Sequence, residues 1–165
     1  ESLRIAMELH APVVTGLLKG IRGTSLHYFC RGNFGIETVA VCFESGQHDE
    51  ILSTNRAIAA LTNCMRSIGM VRAQDVENRH DSILIEYSRG LPKVTELIEI
   101  YSIRSHGNFQ MIPGYQNFQP IKKGELLATD HQGPIYASED GLILMPLYQK
   151  QGDDGFFLIR VVEGY

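Results

Sequence analysis

Apolar and polar positions change rhythm along the chain. Residues 2 to 9 carry apolar positions at mixed spacing, Ala11-Pro12 marks a turn, and Val13 to Leu18 is again apolar. This predicts a short helix, a turn and a following strand. From Thr24, the run Leu26, Tyr28, Phe29, Cys30 ends at Arg31-Gly32-Asn33, the kind of sequence that closes a helix with a left-handed Gly or Asn. Thr38-Val39-Ala40-Val41-Cys42-Phe43 is a continuous β-prone run bounded by Gly35 and Ser45-Gly46. Such a run predicts a fully buried central strand, with Glu44 at its C-terminal end. Beyond it, Ile58, Leu61, Met65 and Ile68 recur at three- and four-residue steps, with Asn55, Arg56, Asn63 and Arg66 on other faces and Gly69 as a stop. The spacing predicts an amphipathic helix buried on its Ile/Leu/Met stripe.

The polar stretch Arg72 to Asp81 has the composition of a linker, and after it the texture changes to short strands and turns rich in Gly and Pro. A boundary near residue 75 follows. Val94, Leu97, Ile98, Ile100 and Ile103 lie in a β-prone segment after Pro92, and Lys123-Gly124-Glu125, Gln132-Gly133-Pro134 and Glu139-Asp140-Gly141 punctuate what comes next. The second part, 76–165, is therefore expected to be a small all-β barrel or sandwich, and 1–75 part of an α/β domain.

Composition narrows the function classes. Fifteen Lys and Arg against nineteen Asp and Glu give a net charge of −4, with no basic stripe, which argues against nucleic acid. Apolar runs such as Gly141 to Leu147 are too short to span a bilayer, so no membrane partner is expected. The odd, widely spaced cysteines Cys30, Cys42 and Cys64 sit among apolar neighbours and suit small buried thiols in a reducing, cytoplasmic compartment. The opening Glu1-Ser2-Leu3-Arg4, without initiator Met or signal-like segment, predicts a start inside a longer reading frame.

A carboxylate at the C-terminal end of a central parallel strand sits where open α/β sheets bind ligands, because the loops there diverge. Glu44 has that place, and the polar turn Ser45-Gly46-Gln47-His48-Asp49-Glu50 can bring backbone N–H groups and an imidazole beside it. The same turn also reads as a plain lead-in to the next helix. Val39-Ala40-Val41-Cys42-Phe43-Glu44-Ser45-Gly46 resembles the strand and Glu-x-Gly motif of the succinylglutamate desuccinylase/aspartoacylase family of zinc-carboxypeptidase-like enzymes. Ile121-Lys122-Lys123-Gly124-Glu125-Leu126-Leu127 through Ile135 to Leu144 is similar to that family's C-terminal β-domain, itself like a biotinyl or lipoyl barrel.

The resemblance implies a zinc-dependent deacylase acting on an N-acyl amino acid or related amide, with Glu44 as the general acid/base beside a metal-activated water. It implies that Arg31 grips a substrate carboxylate, for which a planar guanidinium is suited, and that Tyr148 steadies the oxyanion. His48 could orient the carboxylate or contact substrate. The family's upstream His-x-x-Glu does not occur here, and His48-Asp49-Glu50 has the wrong spacing, so the zinc ligands are expected upstream of this chain. Glu8-Leu9-His10 superficially resembles the surroundings of the last metal ligand, but it stands too close to Glu44 and reads better as helix. His27, His80, His106 and His131 share no ligand-like spacing, and no Met-Lys-Met or Asp-Lys-Ala marks a carrier lysine.

Two rival readings stand beside this one. The chain could be a folded accessory or binding domain without catalysis, or a small hydrolase using His10, His48 and Glu44. If part of the α/β domain lies elsewhere, unpaired strand edges and apolar surface should drive homo-oligomerisation or association with the missing N-terminal segment.

Overall fold

The computed structural model describes residues 1–19, 25–47, 50–77, 79–103, 108–149 and 152–165. Its elements are α1 (Ser2–Met7), β1 (Val13–Thr15), α2 (Ser25–Tyr28), α3 (Arg31–Phe34), α4 (Ile51–Ser67), α5 (Arg79–Tyr87), β2 (Val94–Ser102), β3 (Gln110–Met111), β4 (Gln119–Ile121), β5 (Leu126–Asp130), β6 (Gly133–Tyr136), β7 (Gly141–Leu144) and β8 (Asp154–Val161). Helices and strands are thus both present, and two compact units divide them: Glu1–Val13 with Ile21–Lys93, and Val14–Gly20 with Val94–Tyr165. The division falls between Lys93 and Val94, later than the expected boundary near residue 75. The polar stretch 72–81 carries a short 3-10 turn, Ala73–Asp75, and the start of α5.

In the β unit an open sheet runs in the order β1-β2-β8-β7-β4, and a second one in the order β3-β5-β6. Pairings β2–β8, β8–β7, β7–β4, β3–β5 and β5–β6 are all antiparallel. Central β8 is covered on both faces, and Gly155, Phe156, Phe157, Leu158 and Ile159 are consecutively buried. Phe156 stacks on Tyr101 at 5.3 Å between centroids and belongs to a core with Met111, Ile121, Leu127, Ile143 and Leu158. Gly155 is required there: a Cβ would lie 2.4 Å from the Phe109 ring. Turn glycines predicted from sequence take left-handed backbone at Gly124 (φ 81°), and Gly133 has φ 119°.

The helical unit departs further from expectation. Residues 38–43 form no strand: the segment has no regular structure, and Val39 and Val41 are 39% and 37% exposed. A strand needs neighbours for its N–H and C=O groups, and no strand pairs with it among the described residues. Glu44 consequently does not end a central parallel strand. Helix α4 forms as predicted and Gly69 follows it at φ 77°, but the buried stripe is Arg56, Ala59, Ala60 and Asn63. These positions keep the i, i+3, i+4, i+7 spacing. Small Ala59 and Ala60 let α5 approach, so that Leu84 packs between them with Phe43 and Ile83 at the edge. The anticipated stripe faces outward instead, with Leu61 63% and Ile58 50% exposed.

The expected helix stop at residues 31–33 is realised differently. The Asn33 side-chain amide donates to the Tyr28 carbonyl at 2.7 Å, capping α2 from outside, while α3 runs on to Gly35 at φ 70°. Cys30 and Cys42 are exposed and Cys64 half-buried, so the cysteines are not core thiols, although all three are free. No helix among the described residues is long and apolar enough to cross a membrane.

Candidate functional site

Buried Arg56 organises the segment that carries Glu44. Its side chain is only 4% exposed, and a buried guanidinium must find acceptors. It donates through Nη1 to the Ser45 carbonyl at 2.7 Å and to Glu50 Oε2 at 3.0 Å, through Nη2 to Glu50 Oε1, and it stacks 3.8 Å over the Tyr87 ring. Helix α4 supplies Arg56, α5 supplies Tyr87, and the segment before α4 supplies all three oxygens. The hydrogen bonds from Arg56 hold the Glu50 carboxyl below its ordinary range.

Gly46 follows from this arrangement. Its φ is 128°, and a Cβ there would stand 2.5 Å from Arg56 Nη1 and 2.7 Å from Glu50 Oε2. The glycine of the Glu-x-Gly motif is therefore needed for close approach as well as for backbone freedom. On the other side of Ser45, Glu44 is exposed and accepts one bond, from the Cys42 thiol at 3.4 Å. Desolvation first, and then the Glu44 carboxylate, push the Cys42 thiol up, which keeps it protonated and unsuited to nucleophilic attack.

The other residues marked by the sequence are placed as follows. Arg31 begins α3, is well exposed, and pairs with Glu37 at 3.6 Å. Tyr148 belongs to the β unit, whereas Arg31 and Glu44 belong to the helical unit. Its hydroxyl donates to the Ile112 carbonyl at 2.9 Å and accepts from the Tyr115 N–H at 2.8 Å. Both of these bonds clamp the loop after β3, and the tyrosine lines a pocket of about 420 Å³ with Phe109, Met111 and Leu147. Tyr115 is pushed up to about 12 by burial and by its bond to Glu125. His48 lies outside the described residues.

Sequence pattern places Arg56 on a face other than the Ile/Leu/Met stripe and gives no role to Tyr87. The available signal was the stripe Arg56, Ala59, Ala60, Asn63, which has helical period but polar and small members. A second cluster was also passed over: His10 Nε2 stands 3.4 Å from Asp81 Oδ1, and Asp81 is bonded by Arg66.

The zinc implied by resemblance does not fit what these residues offer. Among the described residues no three His, Cys, Asp or Glu side chains gather where they could hold a metal ion, whereas catalytic zinc takes three protein ligands. Among the described residues, Glu44 has Cys42 beside it and His10 has the Asp81 carboxylate. No protein-family model matches the chain, and no curated protein or solved structure is significantly similar to it.

Proposed function

We propose that the chain supplies the acid/base carboxylate, Glu44, and a C-terminal β-domain to an amide-hydrolysing enzyme resembling the succinylglutamate desuccinylase/aspartoacylase family. The substrate class is an N-acyl amino acid or related amide, and any zinc ligands belong to a segment outside this chain. One observation carries the reading: Glu44 is presented to solvent beside a turn that the buried Arg56 holds from below, with Gly46 fitted against that guanidinium.

In the reaction Glu44 takes a proton from the attacking water and passes it to the leaving amine, so that amide and water give carboxylate and amine. Arg31, exposed and weakly paired with Glu37, can exchange that partner for a substrate carboxylate. The Tyr148 hydroxyl proton is committed to the Ile112 carbonyl, and His48 is assigned to substrate contact. The three free thiols suit a reducing, cytoplasmic setting. Exposed Ile51, Leu52, Ile58 and Leu61 on α4 suit association with the rest of such an enzyme or with a second copy.

The test is amine release from N-acetyl and N-succinyl amino acids by the intact gene product and by its Glu44→Gln variant. Loss of the acid/base group lowers kcat by about 10²–10⁴-fold with KM nearly unchanged. Turnover by Glu44→Gln at the parental rate sinks the proposal. A second reading, a binding domain without catalysis, is favoured by the pocket of the β unit, whose described lining residues carry no charge, and by the structural use of the Tyr148 hydroxyl. Inactivity of the intact protein on every such amide would select it.

A further inference from the structure

A second pocket lies wholly within the helical unit, beside the end of α1 and the segment that follows α5. Its volume of about 360 Å³ is lined by apolar Met7, Pro12, Ile85 and Leu91 and by His10 and Lys93, with no carboxylate among the described lining residues. Ligand pockets span roughly 300–1,000 Å³, so this one suits a small molecule. Its chemistry is amphipathic, with a lysine and a histidine beside an aliphatic surface.

His10 is held there at a conformational cost. Its φ is 56°, a region that few residues other than glycine adopt and that persists only where neighbours enforce it. The Ser88 hydroxyl donates to the His10 carbonyl at 2.8 Å, fixing the backbone. Nε2 faces Asp81 Oδ1 at 3.4 Å, and Arg66 in turn fixes Asp81, so the ring is oriented from behind by a chain of charged groups. With Nε2–H facing the Asp81 carboxylate, Nδ1 can donate to a ligand only while the ring is protonated, when both nitrogens carry hydrogen. Lys93, exposed at the rim, adds a mobile ammonium with three donors.

We propose that this pocket binds a small aliphatic monocarboxylate, its carboxylate held by Lys93 and by the protonated form of His10 and its tail lying on Met7, Ile85 and Leu91. A carboxylate is favoured over a neutral alcohol because bonds to an ionised acceptor are roughly twice as strong as neutral ones. The site is distinct from Glu44 and independent of the amide-hydrolysis reading.

Hexanoate is a suitable probe, read by the methyl resonances of labelled methionines. Met7 reports on the pocket, and Met111, buried in the other unit's core, serves as a control. Hexanoate is expected to shift the Met7 signal saturably at millimolar concentration and leave Met111 in place, while 1-hexanol binds at least about tenfold more weakly. Lys93→Gln and His10→Asn, the second chosen because Asn tolerates left-handed backbone, are each expected to weaken hexanoate binding about fivefold to tenfold. An unmoved Met7 signal, equal binding of hexanol and hexanoate, or parental affinity in Lys93→Gln overturns the proposal. Lys93 is exposed, so its variant keeps the test decisive even if His10→Asn does not fold.

Discussion

Two continuous apolar runs in this chain meet opposite fates. Gly155 to Ile159, in β8, is buried throughout because β2 and β7 flank it in register and cover its backbone. Residues 38–43, just as β-prone, lie half in solvent without regular structure. A continuous apolar run records that both faces favour cover, and says nothing of whether neighbours exist to provide it. The β unit brings its neighbours within the same chain. In the helical unit Phe43, at the end of that run, packs against Ala59, Ala60 and Leu84, and the turn beyond it is held by Arg56.

The sharpest way to probe that contrast is Phe156→Ala. Removing a fully buried ring from the shared core is expected to cost the β unit about 3–5 kcal/mol, read as a lowered denaturant midpoint. A loss below about 1 kcal/mol would mean that β8 is not the packed centre it is described to be. Next in size is Gly46→Ala, which combines a backbone unsuited to a side chain with a Cβ driven into the Arg56–Glu50 pair. A cost of about 1–3 kcal/mol to the helical unit is expected, seen as earlier loss of ellipticity at 222 nm. An unchanged midpoint would show that the turn is not fixed by Arg56.

These two positions also mark what the sequence could and could not tell. Turn glycines such as Gly69 and Gly124, the helix over 51–67 and the β-rich character of the second part were legible because they depend on local backbone preference and period. The orientation of α4 was not, since the larger apolar stripe was assumed to be the buried one. The helix turned inward its small residues, which allow close approach to α5, together with an arginine satisfied by distant groups. Those partners, Ser45, Glu50 and Tyr87, come together only on folding, and so does the pairing that covers β8. For the candidate site, Glu44 and Gly46 could be read from sequence, whereas the arginine that explains the glycine could not.

A smaller effect is expected at Asp81. Hydrogen bonding from Arg66 holds its carboxyl below the usual carboxylate value. The folded state therefore binds this proton less readily than the unfolded chain does. Its contribution is complete above the unfolded value, near pH 4, and is lost as pH falls through the lower folded value. The helical unit should thus melt more readily below about pH 4. Asp81→Asn should lose about 1 kcal/mol at neutral pH and flatten this acid limb. An acid limb unchanged by the substitution would remove Asp81 from the account of stability in this unit.

The smallest effect is the most telling for the opening contrast. Val41→Thr replaces a methyl by a hydroxyl of similar size in the run that found no strand partner. At a site more than a third exposed such a change stays within about ±0.5 kcal/mol. Buried as Leu158 is buried, the same hydroxyl would cost about 1–3 kcal/mol, because it would lack water and a ready acceptor. A neutral result at all protein concentrations means that the segment is free in solution. A penalty above about 1 kcal/mol that grows with protein concentration means that residues 38–43 pair with another copy, since only association makes stability depend on concentration. The contrast with β8 would then lie in the source of the neighbouring strand, which β8 finds within its own chain and residues 38–43 find in a second one.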